Sequence, residues 1–138
     1  MTNANLAALS AAGVSVWLDD LSRQLLSSGE LEKRMSAYSI VGVTTNPAIF
    51  QSALADSSAY ESALTEAVRA DRDVDSVVRA LTTSDVRDAC DVLADVHRAT
   101  DGVDGRVSLE VDPGLADRKS GSAGMPRPIQ ESRMPSSA

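Results

Sequence analysis

Three polar residues stand at or just beyond the ends of three short segments rich in branched apolar residues. Asp19 ends the first segment, Asn46 follows the second, and Glu110 lies near the end of the third. Carboxylates transfer protons, and an amide both donates hydrogen bonds to substrate hydroxyls and accepts them. Two carboxylates and one amide in one place would therefore suit proton transfer on a hydroxylated substrate.

The three segments are predicted to be β-strands because apolar and polar residues alternate in them and β-branched residues are frequent. Helical patterns separate the strands, and strands joined by helical crossovers pair in parallel, which gives an α/β fold. The predicted strands are 14–19, 40–45 and 106–111. The predicted helices are a short one capped by Asn3 or Asn5 and stopped at Gly13, one over 21–36 that Gly29 can divide, and others over 48–55 and 58–71, from Asp73, and from Ser84.

Parallel strands bring their carboxyl ends to one edge of the sheet, so Asp19, Asn46 and Glu110 are expected to meet there. In a β/α barrel, this edge is where active sites are built from the ends of several strands. Alternation along each strand gives a common direction to Trp17 with Asp19, to Thr44 with Asn46, and to Ser108 with Glu110.

Each of these residues also has a purely local interpretation. Asp at a strand end is often a helix cap, although Asp20 is the better candidate to cap the helix that follows. Asn46 precedes Pro47, and this dipeptide is a common turn. Glu110, in an alternating strand, can simply face water. The pattern alone leaves the catalytic and the local interpretations open.

Other chemically capable residues are weaker candidates. His97 is the single histidine and has no Cys or His beside it, so a surface or packing role is expected and no metal site is predicted. Cys90 lies on the apolar stripe of its helix and is expected to pack. The sequence contains neither a P-loop nor the Gly-rich dinucleotide motif.

Composition excludes several classes of protein. The formal net charge of −7 argues against a nucleic-acid binder, and no apolar run approaches the ~20 residues of a membrane span. The start of the chain lacks the pattern of a signal peptide, and a lone cysteine permits no internal disulfide, so a cytoplasmic location is predicted. Residues 118–138 differ from the rest: they carry a net charge of +3 against −10 for residues 1–117 and hold three of the five prolines. We predict that this tail is disordered.

The sequence resembles the transaldolase family in three motifs, one at each predicted strand. The motifs are Val16-Trp17-Leu18-Asp19, Gly42-Val43-Thr44-Thr45-Asn46-Pro47 and Val107-Ser108-Leu109-Glu110-Val111-Asp112. Over residues 1–117 the chain is similar to the N-terminal part of bacterial transaldolases, especially those of the actinobacterial type. The resemblance implies the first three strands of a (β/α)8 TIM barrel, followed by the tail 118–138.

The resemblance also implies a reaction. Transaldolases transfer a dihydroxyacetone unit between sugar phosphates in the pentose phosphate pathway, converting sedoheptulose 7-phosphate and glyceraldehyde 3-phosphate to erythrose 4-phosphate and fructose 6-phosphate. They work through a lysine Schiff base, without metal or organic cofactor. The resemblance thus implies sugar phosphate substrates and no cofactor, while the composition predicts no nucleic-acid and no membrane partner.

The resemblance also implies a role for individual residues. Asp19 matches the acid/base aspartate that handles the substrate hydroxyl proton during carbon–carbon cleavage. Asn46 matches the asparagine that hydrogen-bonds the dihydroxyacetone unit, and Thr45 beside it is assigned to substrate binding. Glu110 matches the glutamate that works with a water molecule in forming and hydrolysing the imine.

One departure from the family concerns the nucleophile. The chain has two lysines, Lys33 in a predicted solvent-facing helical position and Lys119 in the tail, and neither matches the Schiff-base lysine of the fourth barrel strand. This chain is therefore expected to be inactive alone. Alternatives are a non-catalytic β/α fragment that assembles with another chain, or a truncated product without function. A further hypothesis is that 118–138 is translated out of frame, which the coding DNA would test.

Overall fold

The computed structural model of the protein describes residues 2–55 and 58–110, and this part of the chain alternates strands and helices. The strands are β1 (Val16–Asp19), β2 (Ile40–Thr45) and β3 (Arg106–Leu109). The helices are α1 (Ala4–Ala11), α2 (Arg23–Ser27), α3 (Glu30–Tyr38), α4 (Pro47–Ala55), α5 (Glu61–Arg69) and α6 (Val74–Ala99), with a 3₁₀ turn at Ser58–Tyr60 before α5.

The three strands form one parallel sheet in the order β1-β2-β3. Asp19 pairs with Thr44 in the register of β1 with β2, and Thr44 pairs with Ser108 in the register of β2 with β3. Within the described residues β1 and β3 each have β2 as their single neighbour, so the sheet is open at both sides. The predicted α/β fold with parallel strands is confirmed, as an incomplete set of β/α units.

The two faces of the sheet differ sharply in burial. One face carries Val43 and Val107, which are buried, and the helices pack against it. The opposite face carries Trp17, Asp19 and Ser108, which are exposed. The core between sheet and helices consists of aliphatic residues and one phenylalanine: Leu21, Leu25, Leu31, Val43, Phe50, Val86, Ala89, Leu93 and Val107. Removing this apolar surface from water is the main stabilising contribution to the fold.

Local signals set several helix boundaries as predicted. The Asn3 side chain accepts hydrogen bonds from the amides of Asn5 and Leu6 at the start of α1, and Gly13 follows its end with a positive φ of 87°. Gly29 has a φ of 67° and separates α2 from α3, so the predicted helix over 21–36 is indeed divided there. Asp73 caps α6 through the amide of Ser76 at 2.9 Å.

Two predicted caps are wrong. Ser84 does not begin a helix, because α6 continues through it from Val74 to Ala99. No glycine or proline interrupts this stretch, and Leu81, Val86 and Leu93 continue one buried stripe across the position. Asp20 does not cap α2. That cap is Ser22, whose hydroxyl accepts from the amide of Leu25 at 3.1 Å.

Several predictions fall outside the described residues. Residue 111 of the third predicted strand, the tail 118–138 and Lys119 belong to this group. Within the described part, none of the helices combines the length and hydropathy needed to cross a membrane.

Candidate functional site

Asp19 is the last residue of β1 and lies on the open face of the sheet. The register places it in one cross-strand row with Thr44 and Ser108, and residues paired across parallel strands share a face. Among the described residues, none forms a hydrogen bond or an ion pair with the Asp19 carboxylate, which is exposed. An unpaired carboxylate on the uncovered face is available to exchange a proton with a bound molecule.

Asn46 follows β2 directly and carries out a structural task. Its side-chain oxygen Oδ1 accepts a hydrogen bond from the amide of Ile49 at 3.0 Å, and its carbonyl accepts from the amide of Phe50 at 3.2 Å. Asn46 therefore caps α4, in keeping with the local interpretation of this residue. Because Oδ1 is engaged, the Nδ2 amide group remains as the donor for a second partner.

Glu110 follows β3 and is positioned by the backbone of β2. Its amide donates to the carbonyl of Thr45 at 3.4 Å, and its side chain is exposed. Neighbouring strands lie about 4.8 Å apart, so the ends of β1 and β3 are separated by roughly 10 Å, with the end of β2 between them. The carboxyl edge therefore brings Asp19, Asn46 and Glu110 onto three successive strand ends.

Thr45 does not join this group through its side chain. The residue is 0% exposed, and its Oγ1 is buried without a hydrogen-bond partner among the described residues. It alternates with Thr44 and shares the side of Val43, which packs against the helices. The role of Thr45 in substrate binding stays a prediction. Its carbonyl, however, holds the amide of Glu110.

The structure adds two hydroxyl groups that the site prediction did not include. Thr44 is the neighbour of Asp19 in the cross-strand row on the open face, and Ser108 lies beyond Thr44 on β3. Alternation within each strand already gave them the direction of the site residues, but the parallel register was needed to align the three strands. These hydroxyls supply donors and acceptors at the level of the Asp19 carboxylate.

Trp17 and Gly42 form the floor below this row. They are paired in the register, and a Cβ atom on Gly42 would lie 2.5 Å from Cε2 of the Trp17 ring. The ring therefore lies directly over the Gly42 backbone and is 38% exposed on the open face. Glycine at position 42 is required by this close approach.

In the part of the chain that the structure describes, Arg34 and Lys33 are both paired with carboxylates. Arg34 binds Asp20 at 3.2 Å. Lys33 lies 3.8 Å from Glu30 and its side chain is 70% exposed on α3, which confirms the predicted solvent-facing position. In the described part of the chain, no cluster of His, Cys, Asp and Glu side chains is suited to hold a metal ion.

Cys90 and His97 lie apart from the three strand ends. Cys90 is half-buried against the core, as predicted, and burial together with nearby Asp91 raises the pKa of its thiol. His97 is exposed near the end of α6, and its Nδ1 lies 3.1 Å from the carbonyl oxygen of Asp104. Both residues therefore have the packing and surface roles expected of them.

Comparison with known proteins identifies relatives of this chain. A model of the family described as transaldolase/fructose-6-phosphate aldolase matches residues 16–129. Transaldolases of Mycolicibacterium smegmatis and Mycobacterium marinum are each 60% identical over 114 residues, and one of Mycobacterium tuberculosis is 59% identical. The alignment covers 83% of this chain but 31% of each relative, so the chain spans about a third of their length. The family match runs past residue 117, and the division predicted there stays a prediction.

Proposed function

This chain belongs to the transaldolase/fructose-6-phosphate aldolase family, and from that premise we propose that it supplies the proton-transfer edge of a transaldolase site. In this proposal the substrate is a ketose phosphate of the pentose phosphate pathway, from which a dihydroxyacetone unit is passed to an aldose phosphate. The observation that supports it is the common row of Asp19, Thr44 and Ser108 on the open face, continued by Asn46 and Glu110.

Asp19 is proposed as the acid/base group of carbon–carbon cleavage. Cleavage beside a hydroxyl-bearing carbon releases the hydroxyl proton as that carbon becomes an aldehyde, and the exposed, unpaired carboxylate can take this proton and return it in the reverse step. Thr44, next to Asp19 in the row, and Ser108, one strand further, are proposed as hydrogen-bond partners for the substrate's hydroxyl groups. This part of the proposal rests on the register and on the lack of any competing partner among the described residues.

Asn46 and Glu110 are proposed to act on the dihydroxyacetone unit and its imine. Since Oδ1 of Asn46 caps α4, its Nδ2 is the group left to donate to a substrate oxygen. Glu110 is proposed to exchange protons with the water that enters or leaves when an imine is formed or hydrolysed, and the hydrogen bond from its amide to the Thr45 carbonyl supports this proposal. Thr45 serves in this proposal as a backbone support for Glu110.

The amine that forms the imine is proposed to come from outside this chain. A Schiff base needs an amine of lowered pKa in a desolvated site. Lys33 is exposed and paired with Glu30, on a helix rather than at a strand end. The 138-residue chain alone is therefore proposed to be inactive. Phosphate recognition is also proposed to use a cation from elsewhere, since Arg34 is already bound by Asp20 in the described part of the chain.

The proposal is tested by reconstitution. The chain is co-expressed with the part of the Mycolicibacterium smegmatis transaldolase that it does not match, and transfer from fructose 6-phosphate to erythrose 4-phosphate is measured. We expect activity with both polypeptides together and none with either alone. Asp19→Asn should lower kcat by about 10²- to 10⁴-fold, while Asp88→Asn, at an exposed position on α6, should not change it. Activity that survives Asp19→Asn would contradict the assigned role.

A second candidate function is a non-catalytic β/α unit that assembles with another chain. The open sheet face and the single-sided pairing of β1 and β3 support it. An exposed strand edge readily pairs with a further strand. Formation of a stable complex without transfer activity, at concentrations that saturate binding, would favour this function over catalysis.

A further inference from the structure

Three side chains that are distant in sequence form a polar network beside the core. Arg23 donates from Nε and Nη2 to Oδ1 of Asp85, at 2.9 and 2.8 Å. Tyr60 donates from its hydroxyl to Oδ2 of Asp85 at 2.5 Å, and the same hydroxyl accepts from the backbone amide of Arg23 at 2.9 Å. We call Arg23, Tyr60 and Asp85 the Arg23 clamp. It joins the start of α2, the 3₁₀ turn and the middle of α6.

The buried polar groups of the clamp form hydrogen bonds with one another. Asp85 and Tyr60 are both 0% exposed, and a buried carboxylate is tolerated only when charged and hydrogen-bonding partners replace water. Both oxygens of Asp85 have such partners, and the Arg23 guanidinium also stacks over the Tyr60 ring at 4.6 Å from its centroid. Moving any of the three groups would leave another one without its partner.

The clamp is connected to the candidate site by a short stretch of backbone, with three residues between Asp19 and Arg23. Arg23 follows Asp19 by four positions, and every residue between them is fixed. Asp20 is bound by Arg34, Leu21 is 0% exposed in the core, and Ser22 caps α2. The carboxylate of Asp19 is thus the free group at one end of a segment whose other end is held by the clamp.

We propose that the Arg23 clamp positions the Asp19 carboxylate at the carboxyl edge of the sheet, with Arg23, Tyr60 and Asp85 as positioning residues. The consequence for catalysis rests on the function proposed above, whereas the positioning of Asp19 does not. A displacement of about 1 Å at a reacting group can lower a rate by 10²-fold. A clamp that fixes the turn after β1 therefore controls the rate without touching the substrate.

A purely structural role would have a different signature. If the clamp only stabilises the fold, its loss disturbs all parts of the molecule together. If it positions Asp19, its loss disturbs β1 and the turn after it, and leaves Glu110 at the end of β3 unchanged. The nuclear magnetic resonance signals of the carboxyl carbons of Asp19 and Glu110 separate the two roles.

The experiment compares Tyr60→Phe with the matched control Tyr38→Phe in the 138-residue chain. Tyr38 is exposed at the end of α3 and is the other of the two tyrosines in the chain. In Tyr60→Phe we expect hydrogen exchange at the amide of Arg23 to accelerate by tenfold or more, and the carboxyl signal of Asp19 to shift or broaden. The carboxyl signal of Glu110 should remain unchanged in Tyr60→Phe. Tyr38→Phe should change neither the exchange at Arg23 nor the Asp19 signal.

The outcomes that overturn the proposal are distinct. Faster exchange at Arg23 with an unchanged Asp19 signal shows that the clamp does not reach the site. Unchanged exchange at Arg23 shows that the clamp does not hold α2. If Tyr60→Phe unfolds the chain, Arg23→Lys is measured in its place, because lysine retains the positive charge but lacks the planar fork of the guanidinium. Equal shifts of Asp19 and Glu110 in that variant also overturn the proposal.

A kinetic arm separates this proposal from the function it builds on. In the reconstituted complex, Tyr60→Phe should lower kcat by about tenfold with little change in KM, and Tyr38→Phe should lower neither. If the complex with the native chain is inactive, the proposed function is contradicted. The nuclear magnetic resonance experiment then still shows whether the clamp positions Asp19. Full kcat in Tyr60→Phe contradicts the positioning alone.

Discussion

Substitution of Gly42 by alanine tests the close contact on which the open face is built. The added Cβ would lie 2.5, 2.6 and 2.9 Å from three atoms of the Trp17 ring, which is closer than van der Waals contact permits. Trp17 must then leave its place over β2. Because its ring is 38% exposed, it can swing away from the sheet rather than force the strands apart.

The expected cost follows from two opposing contributions. Overpacking of a well-packed site typically costs about 1–3 kcal/mol. Gly42 does not adopt a positive φ, so alanine fits the backbone and stabilises by about 0.4–1 kcal/mol through the unfolded chain. Gly42→Ala should therefore lower the free energy of unfolding by about 1–2 kcal/mol. In a Trp17→Ala background, the same substitution should raise it by about 0.4–1 kcal/mol.

A double-mutant cycle by urea denaturation, followed by circular dichroism, measures this sign reversal. The coupling energy between the two positions should be about 1.5–3 kcal/mol, in the range for residues in contact. Trp17 is the single tryptophan of the chain, so its fluorescence reports its release in Gly42→Ala directly. An equal effect of Gly42→Ala in both backgrounds, with unchanged tryptophan emission, would show that the two residues are not in close contact.

Three further predictions concern the clamp and the helix cap. Asp85→Asn should destabilise the chain by about 2–3 kcal/mol in urea denaturation, because it breaks a buried ion pair whose arginine keeps some access to water. Burial and the Asp85 hydrogen bond raise the pKa of Tyr60 from 10.0 to about 12. The protonated Tyr60 hydroxyl therefore stabilises the fold fully below pH 10, and this stabilisation is lost as the pH rises towards 12. Over this interval the free energy of unfolding of the native chain should fall by on the order of 2–3 kcal/mol more than that of Tyr60→Phe. Equal falls in the two proteins would contradict this prediction. Asn46→Ala should cost about 1 kcal/mol by removing the cap of α4. Asn46→Asp keeps the cap oxygen, so it should retain stability while losing activity in the reconstituted complex.

The elements of this fold were predictable where local chemistry decides them. Asn3 and Asp73 cap helices because their short polar side chains reach the free amides of the first turn. Gly29 divides a helix because its positive φ is one that other residues rarely adopt. Ser84 carries the same capping chemistry as Ser22 but lies within a continuous buried stripe, and packing outweighs the local signal there.

The candidate site was predictable as a set of strand ends, but not in its alignment. Alternation gave each strand its direction, and only the parallel register showed that Asp19, Thr44 and Ser108 lie in one row. The clamp could not be predicted because its partners lie 25 to 62 residues apart and no local pattern links them. Alternation along β2 places the Thr45 side chain towards the helices, and its role in substrate binding stays a prediction.

In the function proposed above, this chain supplies proton-transfer groups to a Schiff-base reaction whose amine lies on another polypeptide. Borohydride trapping with fructose 6-phosphate, followed by mass spectrometry of each polypeptide, tests it most directly. No adduct should form on the 138-residue chain, and in the reconstituted complex the adduct should appear on the other polypeptide. Asp19→Asn should still allow this adduct, and Glu110→Gln should slow its formation. A borohydride-stable adduct on Lys33 or Lys119 would contradict the account.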